Sequence, residues 1–194
     1  MTVGGGAMPG HGKADVLVAL EEVRGKPRSP TLPNINDCGG GAFAIARDGT
    51  WFHEGGPIKR QPLVKLFSTV LRREGDGAYF LVTPVEKVPI AVEDAPFIAV
   101  SMRKDGIGQE QKLIFTTNVD DMVTADREHP LRFGAGDEGP VPYIVVRGGL
   151  EAKLTRALYY ELAALATAEV GASPGVWSGG VFFLFPSGTE GEGA

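Results

Sequence analysis

Residues 42–57 read AFAIARDGTWFHEGGP, two apolar runs separated by Arg47-Asp48-Gly49-Thr50. An Asp-Gly pair between apolar segments is the chemistry of a tight hairpin, because glycine accepts the positive φ that such a turn demands. Residues 42–46 and 51–54 are therefore expected to be paired strands. In the second of these, Trp51 and His53 share one face, while Phe52 and Glu54 share the other. Gly55-Gly56-Pro57 closes the strand. Gln61-Pro62 then opens a helix expected over 62–73, with Leu63, Leu66, Phe67, Val70 and Leu71 on one stripe. Gly75-Asp76-Gly77 is expected to stop it.

Further along, residues 78–83, 88–92, 97–103 and 112–117 are short apolar or alternating runs separated by Pro, Asp and Gly, the pattern of an antiparallel meander. Residues 122–125, 131–133 and 143–147 continue the strands. Gly148-Gly149 is expected to turn the chain into a second helix over 151–168, with Leu154, Leu158, Leu162 and Leu165 as its stripe. After the Gly-rich break at 171–175, residues 176–185 form an aromatic-rich strand or hairpin. In the other direction, Val16, Leu17, Leu20 and Val23 stand at helical spacing ahead of an extended, Pro-rich connection over 24–37. Residues 1–12 and 187–194 are Gly-rich and read as tails.

Strand, Gly-Gly, amphipathic helix, turn and aromatic strand thus occur at 51–82 and again at 143–185. That spacing is far longer than a solenoid repeat, and two tandem halves follow from it. Each helix has one apolar stripe and needs a sheet face to cover it. The expected fold class is α+β: two tandem domains, 13–105 and 106–186, each a curled, mostly antiparallel sheet wrapped around one amphipathic helix. The Gly-Gly pairs read as sharp turns from strand to helix that need positive φ. A phosphate-cradling role is the alternative, and the spacing GxxxxGK[ST] is absent from the sequence.

The chain has 194 residues, a length at which folding buries roughly 70% of the unfolded surface, so a substantial core is expected. A net charge of -5 leaves no broad basic field and argues against nucleic acid as a partner. Cys38 is the single cysteine, which excludes an intrachain disulfide and any multi-cysteine metal centre. No apolar run reaches membrane-spanning length, so a cytoplasmic protein without a membrane partner is expected. The sequence names no cofactor.

The segments Asp37-Cys38-Gly39, Asp48-Gly49-Thr50-Trp51-Phe52-His53-Glu54-Gly55, Pro57-Ile58-x-Arg60 and Leu63-Val64-x-Leu66-Phe67-Ser68 resemble a proteobacterial family, domain-of-unknown-function family 1285. So do Leu81-Val82-Thr83-Pro84-x-Glu86-Lys87, Val92-Glu93-Asp94-Ala95-Pro96-Phe97, His129-Pro130-Leu131-Arg132, Pro142-Tyr143, Val146-Arg147-x-Gly149-Leu150 and Tyr159-Tyr160-Glu161-Leu162. The resemblance spans nearly everything between Pro33 and Phe185. It implies a two-domain α+β fold with repeated helix-and-sheet motifs and a role in signal transduction. It carries over no catalytic residue.

The candidate ligand-binding residues are His53, Glu54, Arg60, Glu86, Arg132, Tyr143 and Arg147. If Glu54 lies in the turn it could meet Glu86, Glu93 or Asp94, and a histidine among carboxylates suits acid/base work or a divalent metal. Lys59, Arg60, Lys65, Arg72 and Arg73 form a stretch without acids where an anion could dock, although cations also favour a helix C-terminus. Arg132, Arg147 and Arg156 are comparable candidates in the second half. The aromatics Tyr159, Tyr160, Trp177, Phe182, Phe183 and Phe185 read as core, or as an apolar groove for a ligand or a second copy of the chain. Cys38 suits a nucleophile only with a histidine beside it, which His53 could supply; without GxSxG, a cysteine-protease signature or a third member it reads as a small buried hydrophobe.

With duplication and no catalytic signature, the sequence points first to a non-enzymatic module binding a small molecule or protein, in a groove between the halves. A hydrolase using His53 and nearby carboxylates is the second reading. A homo-oligomeric scaffold acting through the aromatic last strand is the third.

Overall fold

The computed structural model describes residues 42–136, 139–167 and 173–186. The expected helix at 14–23, the Pro-rich connection, Cys38 and both tails lie outside the described residues.

The first sheet contains β1 (Phe43–Ile45), β2 (Trp51–His53), β3 (Gly56–Pro57), β4 (Leu71–Arg73), β5 (Tyr79–Val82) and β6 (Lys87–Val92), with α1 (Gln61–Val70) between β3 and β4. The second contains β7 (Phe97–Asp105), β8 (Lys112–Thr117), β9 (Met122–Thr124), β10 (Leu131–Gly134), β11 (Val141–Arg147) and β12 (Leu150–Leu154). It is followed by α2 (Arg156–Ala164) and the hairpin of β13 (Gly175–Ser178) and β14 (Val181–Leu184). Strand order is β3-β2-β1-β6-β5-β4 in the first sheet and β10-β11-β12-β7-β8-β9 in the second. Taken from its β9 edge, the second sheet repeats the first with every strand advanced by six. The fold is α+β and internally doubled, and the chain divides into two compact units, 42–44 with 51–91 and 45–50 with 92–186.

In the first unit, Phe43, Trp51, Val64, Phe67, Leu71 and Leu81 are buried. The Phe67 ring meets Phe43 edge-on at 5.4 Å and stacks on Trp51 at 6.4 Å. Helix α1 turns Val64, Phe67 and Ser68 inward, so the expected stripe is rotated and Leu63, Leu66 and Val70 are only half-buried. Nor does α1 reach Arg73. Leu71–Arg73 is a strand paired with Tyr79–Leu81, and Gly75-Asp76-Gly77 belongs to the hairpin joining them. There Gly77 takes φ +90 and the Ala78 N–H donates to Asp76 Oδ1 at 2.9 Å. The cross-strand partner takes up the backbone groups that another helical turn would otherwise bond. Arg72 still serves the helix end, donating to the Thr69 carbonyl at 2.9 Å.

Both Gly-Gly pairs sit at strand reversals rather than at strand-to-helix turns. Glu54 (φ +46) and Gly55 (φ +80) are the two central residues of the β2–β3 hairpin, with His53 opposite Gly56. Gly148 (φ +51) and Gly149 (φ +74) do the same between β11 and β12, where Arg147 faces Leu150. Two consecutive positive φ values define the turn whose twist suits a two-residue hairpin. Because the strand reverses there, residues 151–154 extend β12 and the second helix starts at Arg156. Thr155 Oγ1 accepts from the Leu158 N–H at 3.4 Å as its N-cap. Leu154 is therefore a strand residue, Leu158 and Leu162 form the buried face of α2, and Leu165 is half-buried just past its end.

The second unit closes over Phe97, Leu113, Phe115, Ile144, Leu150, Leu162 and Val176. Its last hairpin is anchored through Ser178, whose buried Oγ donates to the Ala125 carbonyl at 2.6 Å and accepts from the Leu113 N–H at 2.8 Å. Among the described residues no helix is long and apolar enough to cross a membrane.

Candidate functional site

Three antiparallel strands of the second unit set the site by register alone. Leu131 faces Ile144, and Ile144 faces Ala152, an apolar row on one side of the sheet. One position along, Arg132 faces Tyr143 and Tyr143 faces Lys153, so these three side chains share the opposite side. Glu151, two residues from Lys153, joins them. Arg132 Nη2 donates to Glu151 Oε2 at 2.6 Å, Arg132 Nε donates to Glu151 Oε1, and the guanidinium lies 4.1 Å from the Tyr143 ring centroid. The bond from Glu151 holds the Arg132 pKa above its ordinary value.

Asp94, in the loop before β7, completes the row. Its Oδ1 accepts from the Tyr143 hydroxyl at 2.8 Å and its Oδ2 from Lys153 Nζ at 2.7 Å. Burial pushes the Asp94 carboxyl up, but the bonds from Lys153 and Tyr143 and the charges of Lys153 and Arg47 outweigh it and hold the pKa below the ordinary value. Tyr143 shifts the other way: burial, reinforced by the bond to Asp94, pushes its phenol up to about 12. The group is a fixed hydrogen-bond donor at any physiological pH.

Above this row lies a cavity of about 630 Å³, lined by Arg47, Glu93, Asp94, Lys153, Arg156 and Tyr159 together with the segments 135–136 and 139–143. Arg47 arrives on the Asp-Gly turn, whose position is fixed because its own N–H donates to Glu93 Oε2 at 3.0 Å and the Glu93 N–H donates to the Ile45 carbonyl at 3.0 Å. Gly49 in that turn fits against Ile98 and Asn118 so closely that an added Cβ would lie 2.7 Å from Ile98 Cγ1. Arg156 and Tyr159 come from the first turn of α2, delivered by the Thr155 cap. Among the described residues, three cations thus face two carboxylates around the cavity, and one of those carboxylates is already held by Lys153 and Tyr143.

Of the residues singled out from sequence, Tyr143 lines this cavity and Arg132 packs on its ring. Arg147 lies at the far end of β11, paired with Asp121, its guanidinium 5.0 Å from the Phe97 ring centroid. His53, Glu54, Arg60 and Glu86 belong to the first unit. There His53 is buried with its ring 4.4 Å from that of Phe43, and Glu54 is exposed in its left-handed turn. Arg60 is exposed at the start of α1, and Glu86 is half-buried in the β5–β6 turn, its N–H donating to Thr83 Oγ1 at 3.1 Å. Among the described residues, no three His, Cys, Asp or Glu side chains gather closely enough to hold a metal ion. Asp94, which the sequence placed as a possible partner of Glu54, has both oxygens engaged by Tyr143 and Lys153. Arg156, named from sequence as an anion candidate, and Tyr159, named as core or groove, both line the cavity, whereas Lys153 and Arg47 carry no such signal in the sequence. Counting register outward from Gly148-Gly149 as a two-residue turn puts Lys153 opposite Ile144, and it is the irregularity between Val145 and Arg147 that shifts it opposite Tyr143, so turn counting alone does not find it.

Residues 33–95 match the family model described as "Domain of unknown function (DUF1285), N-terminal domain", and residues 96–185 match "Protein of unknown function (DUF1285), C-terminal domain". A crystal structure of a DUF1285 family protein from Silicibacter pomeroyi DSS-3 is 40% identical, with a TM-score of 0.73 over 86% of this chain and 93% of that one. A DUF1285 family protein from Shewanella baltica OS155 is 30% identical, with a TM-score of 0.53 over 64% of this chain and 91% of that one. No curated protein matches. With both family models matched in tandem and a relative at 40% identity aligned over most of its length, the chain belongs to the DUF1285 family.

Proposed function

We propose that the protein is a binding module and that the cavity of its second unit receives a small anionic ligand. The observation that carries this reading is the engagement of Asp94 by both Tyr143 and Lys153. With that carboxylate neutralised, Arg47 and Arg156 set the sign of the potential that the described lining presents to a ligand, and among those described residues Glu93 opposes them. Arg156 stands in the first turn of α2, which holds no acidic residue, so the positive end of the helix adds to the same field. A module of this kind would serve signal transduction by reporting ligand concentration.

Titration calorimetry with inorganic phosphate and succinate tests the reading, using the full chain and Arg47→Glu. Binding by the wild type and at least tenfold weaker binding by the variant are expected. If neither anion binds at millimolar concentration, or if the charge reversal leaves affinity unchanged, this cavity is not an anion site.

A further inference from the structure

We propose that β14 is the contact strand of a transient homodimer: two copies of the chain pair their last strands antiparallel across a two-fold axis and join their hairpins into one sheet. The hairpin turns through Gly179-Gly180, with Ser178 opposite Val181. Outward from a two-residue turn, bonded and non-bonded pairs alternate, so Val181 and Phe183 bond to β13. The Phe185 N–H continues the series, donating to the Pro174 carbonyl at 2.8 Å. The N–H and C=O groups of Phe182 and Leu184 therefore point to the open side, where β14 has no partner strand among the described residues. The far side of β13 is engaged, by the bridge from Gly175 to Thr167 and by Gln111 Nε2 at the Trp177 carbonyl.

The other sheet edges are guarded against pairing with a second chain. β3 carries Pro57, β4 the exposed Arg72 and Arg73, and β10 Arg132, while β9 is three residues long and follows Asp120-Asp121. β14, Val-Phe-Phe-Leu, has neither charge nor proline. A second copy fits it by symmetry. With the axis at Phe183, Phe182 faces Leu184 of the second copy and Leu184 faces its Phe182, so every outward N–H and C=O of both strands finds a partner. The side chains agree with this register. Trp177, Phe182 and Leu184 lie on the face opposite the buried Val176, Ser178 and Phe183, and Leu184 is 57% exposed with only Gly175 across from it in its own hairpin. The two-fold sets an aromatic ring on the other flank of that leucine. Charge favours contact here as well: the chain carries -5 overall, and residues 170–189 are its longest run without a charged side chain, so two copies repel least along it. Four residues per copy make an interface below the standard size, hence a weak and transient dimer.

Sedimentation velocity and amide exchange on the full chain, each followed from micromolar to millimolar concentration, test the pairing. The dimer fraction should rise with concentration, and exchange at the Phe182 and Leu184 amides should slow in step with it, while the Val181 and Phe183 amides stay protected throughout. Leu184→Lys, at an exposed position, should weaken the dimer by about tenfold or more and leave the melting temperature of the dilute monomer unchanged. A chain that stays monomeric at millimolar concentration overturns the proposal. So does a dimer whose formation leaves those two amides unaltered or ignores Leu184→Lys. Protection of both amides already in the dilute monomer would mean that another part of the same chain covers the edge, and would overturn it as well.

Discussion

Tyr143 and Lys153 face each other across β11 and β12 and donate to the two oxygens of a single carboxylate, Asp94, at 2.8 and 2.7 Å. The sheet register thereby fixes the loop before β7, since a one-residue slip of either strand would carry its donor to the apolar side. Tyr143→Phe keeps the ring under Arg132 and deletes one donor to a charged acceptor. It should cost about 2 kcal/mol of unfolding free energy in urea titration. A change within experimental error would mean that water replaces the hydroxyl at no loss.

Alkaline titration isolates the same bond. Because the phenol of folded Tyr143 is pushed up from 10.0 to about 12, its neutral form is favoured by the fold. That contribution is complete below the ordinary value and disappears as pH rises from 10 to 12. One of the four tyrosines should ionise late when absorbance of the phenolate is followed, and the late step should be missing in Tyr143→Phe. A wild type without a late phenolate step that Tyr143→Phe lacks would contradict the buried donor.

Asp94 gives the opposite limb. Its folded pKa lies below the ordinary 3.8, so its contribution is present above that value and is lost as pH falls through the folded one. Asp94→Asn should therefore melt at lower temperature than the wild type at pH 7, by an amount worth about 2 kcal/mol. The gap should close in acid below pH 3.8. A gap that persists undiminished there would assign the loss to packing rather than to charge.

The doubling of the chain was legible because it is written in local chemistry: Asp48-Gly49, the Gly-Gly pairs and the apolar stripes of two helices. What failed was assignment at the junctions. Val70-Leu71-Arg72-Arg73 fits a helix stripe and a strand equally well, and only the partner strand Tyr79–Val82 decides between them. Gly148-Gly149 announced positive φ without announcing what followed, so Glu151–Leu154 was read as helix and Lys153 was lost from the site. Tyr143 and Arg132 stand out by residue type, and register places them side by side. Asp94 was placed with the wrong partners, since pairings across 49 and 59 residues are set by register and not by spacing.

Two glycines with the same left-handed backbone should respond differently to substitution. Gly49 has φ +83, and a Cβ there would meet Ile98 Cγ1 at 2.7 Å and Asn118 Nδ2 at 2.9 Å. Gly148 has φ +51 and open space around it. Gly49→Ala combines backbone strain with a clash and should cost more than about 2 kcal/mol. Gly148→Asn should fall within about 0.5 kcal/mol of wild type, because asparagine tolerates this region. Urea midpoints measured side by side decide the matter, and equal losses would refute the steric argument at Gly49.

Ser178 tests how the last hairpin is held. Its hydroxyl is fully buried and joins three elements at once: β13, the Leu113 N–H of β8 and the Ala125 carbonyl after β9. Ser178→Ala barely changes volume, so packing is preserved while a buried donor and a buried acceptor both lose their partner. Such groups cost about 1–3 kcal/mol each when left unsatisfied. Gln111 Nε2 still donates to the Trp177 carbonyl at 2.6 Å, and the Gly179 N–H to the Gln111 carbonyl at 3.0 Å, so the hairpin should loosen rather than detach. Amide exchange should therefore quicken at Leu113 and along β13 and β14, with the exchange of β11 and β12 unchanged. If protection falls equally across the unit, Ser178 supports the whole core; if it falls nowhere, the other two contacts suffice to hold the hairpin.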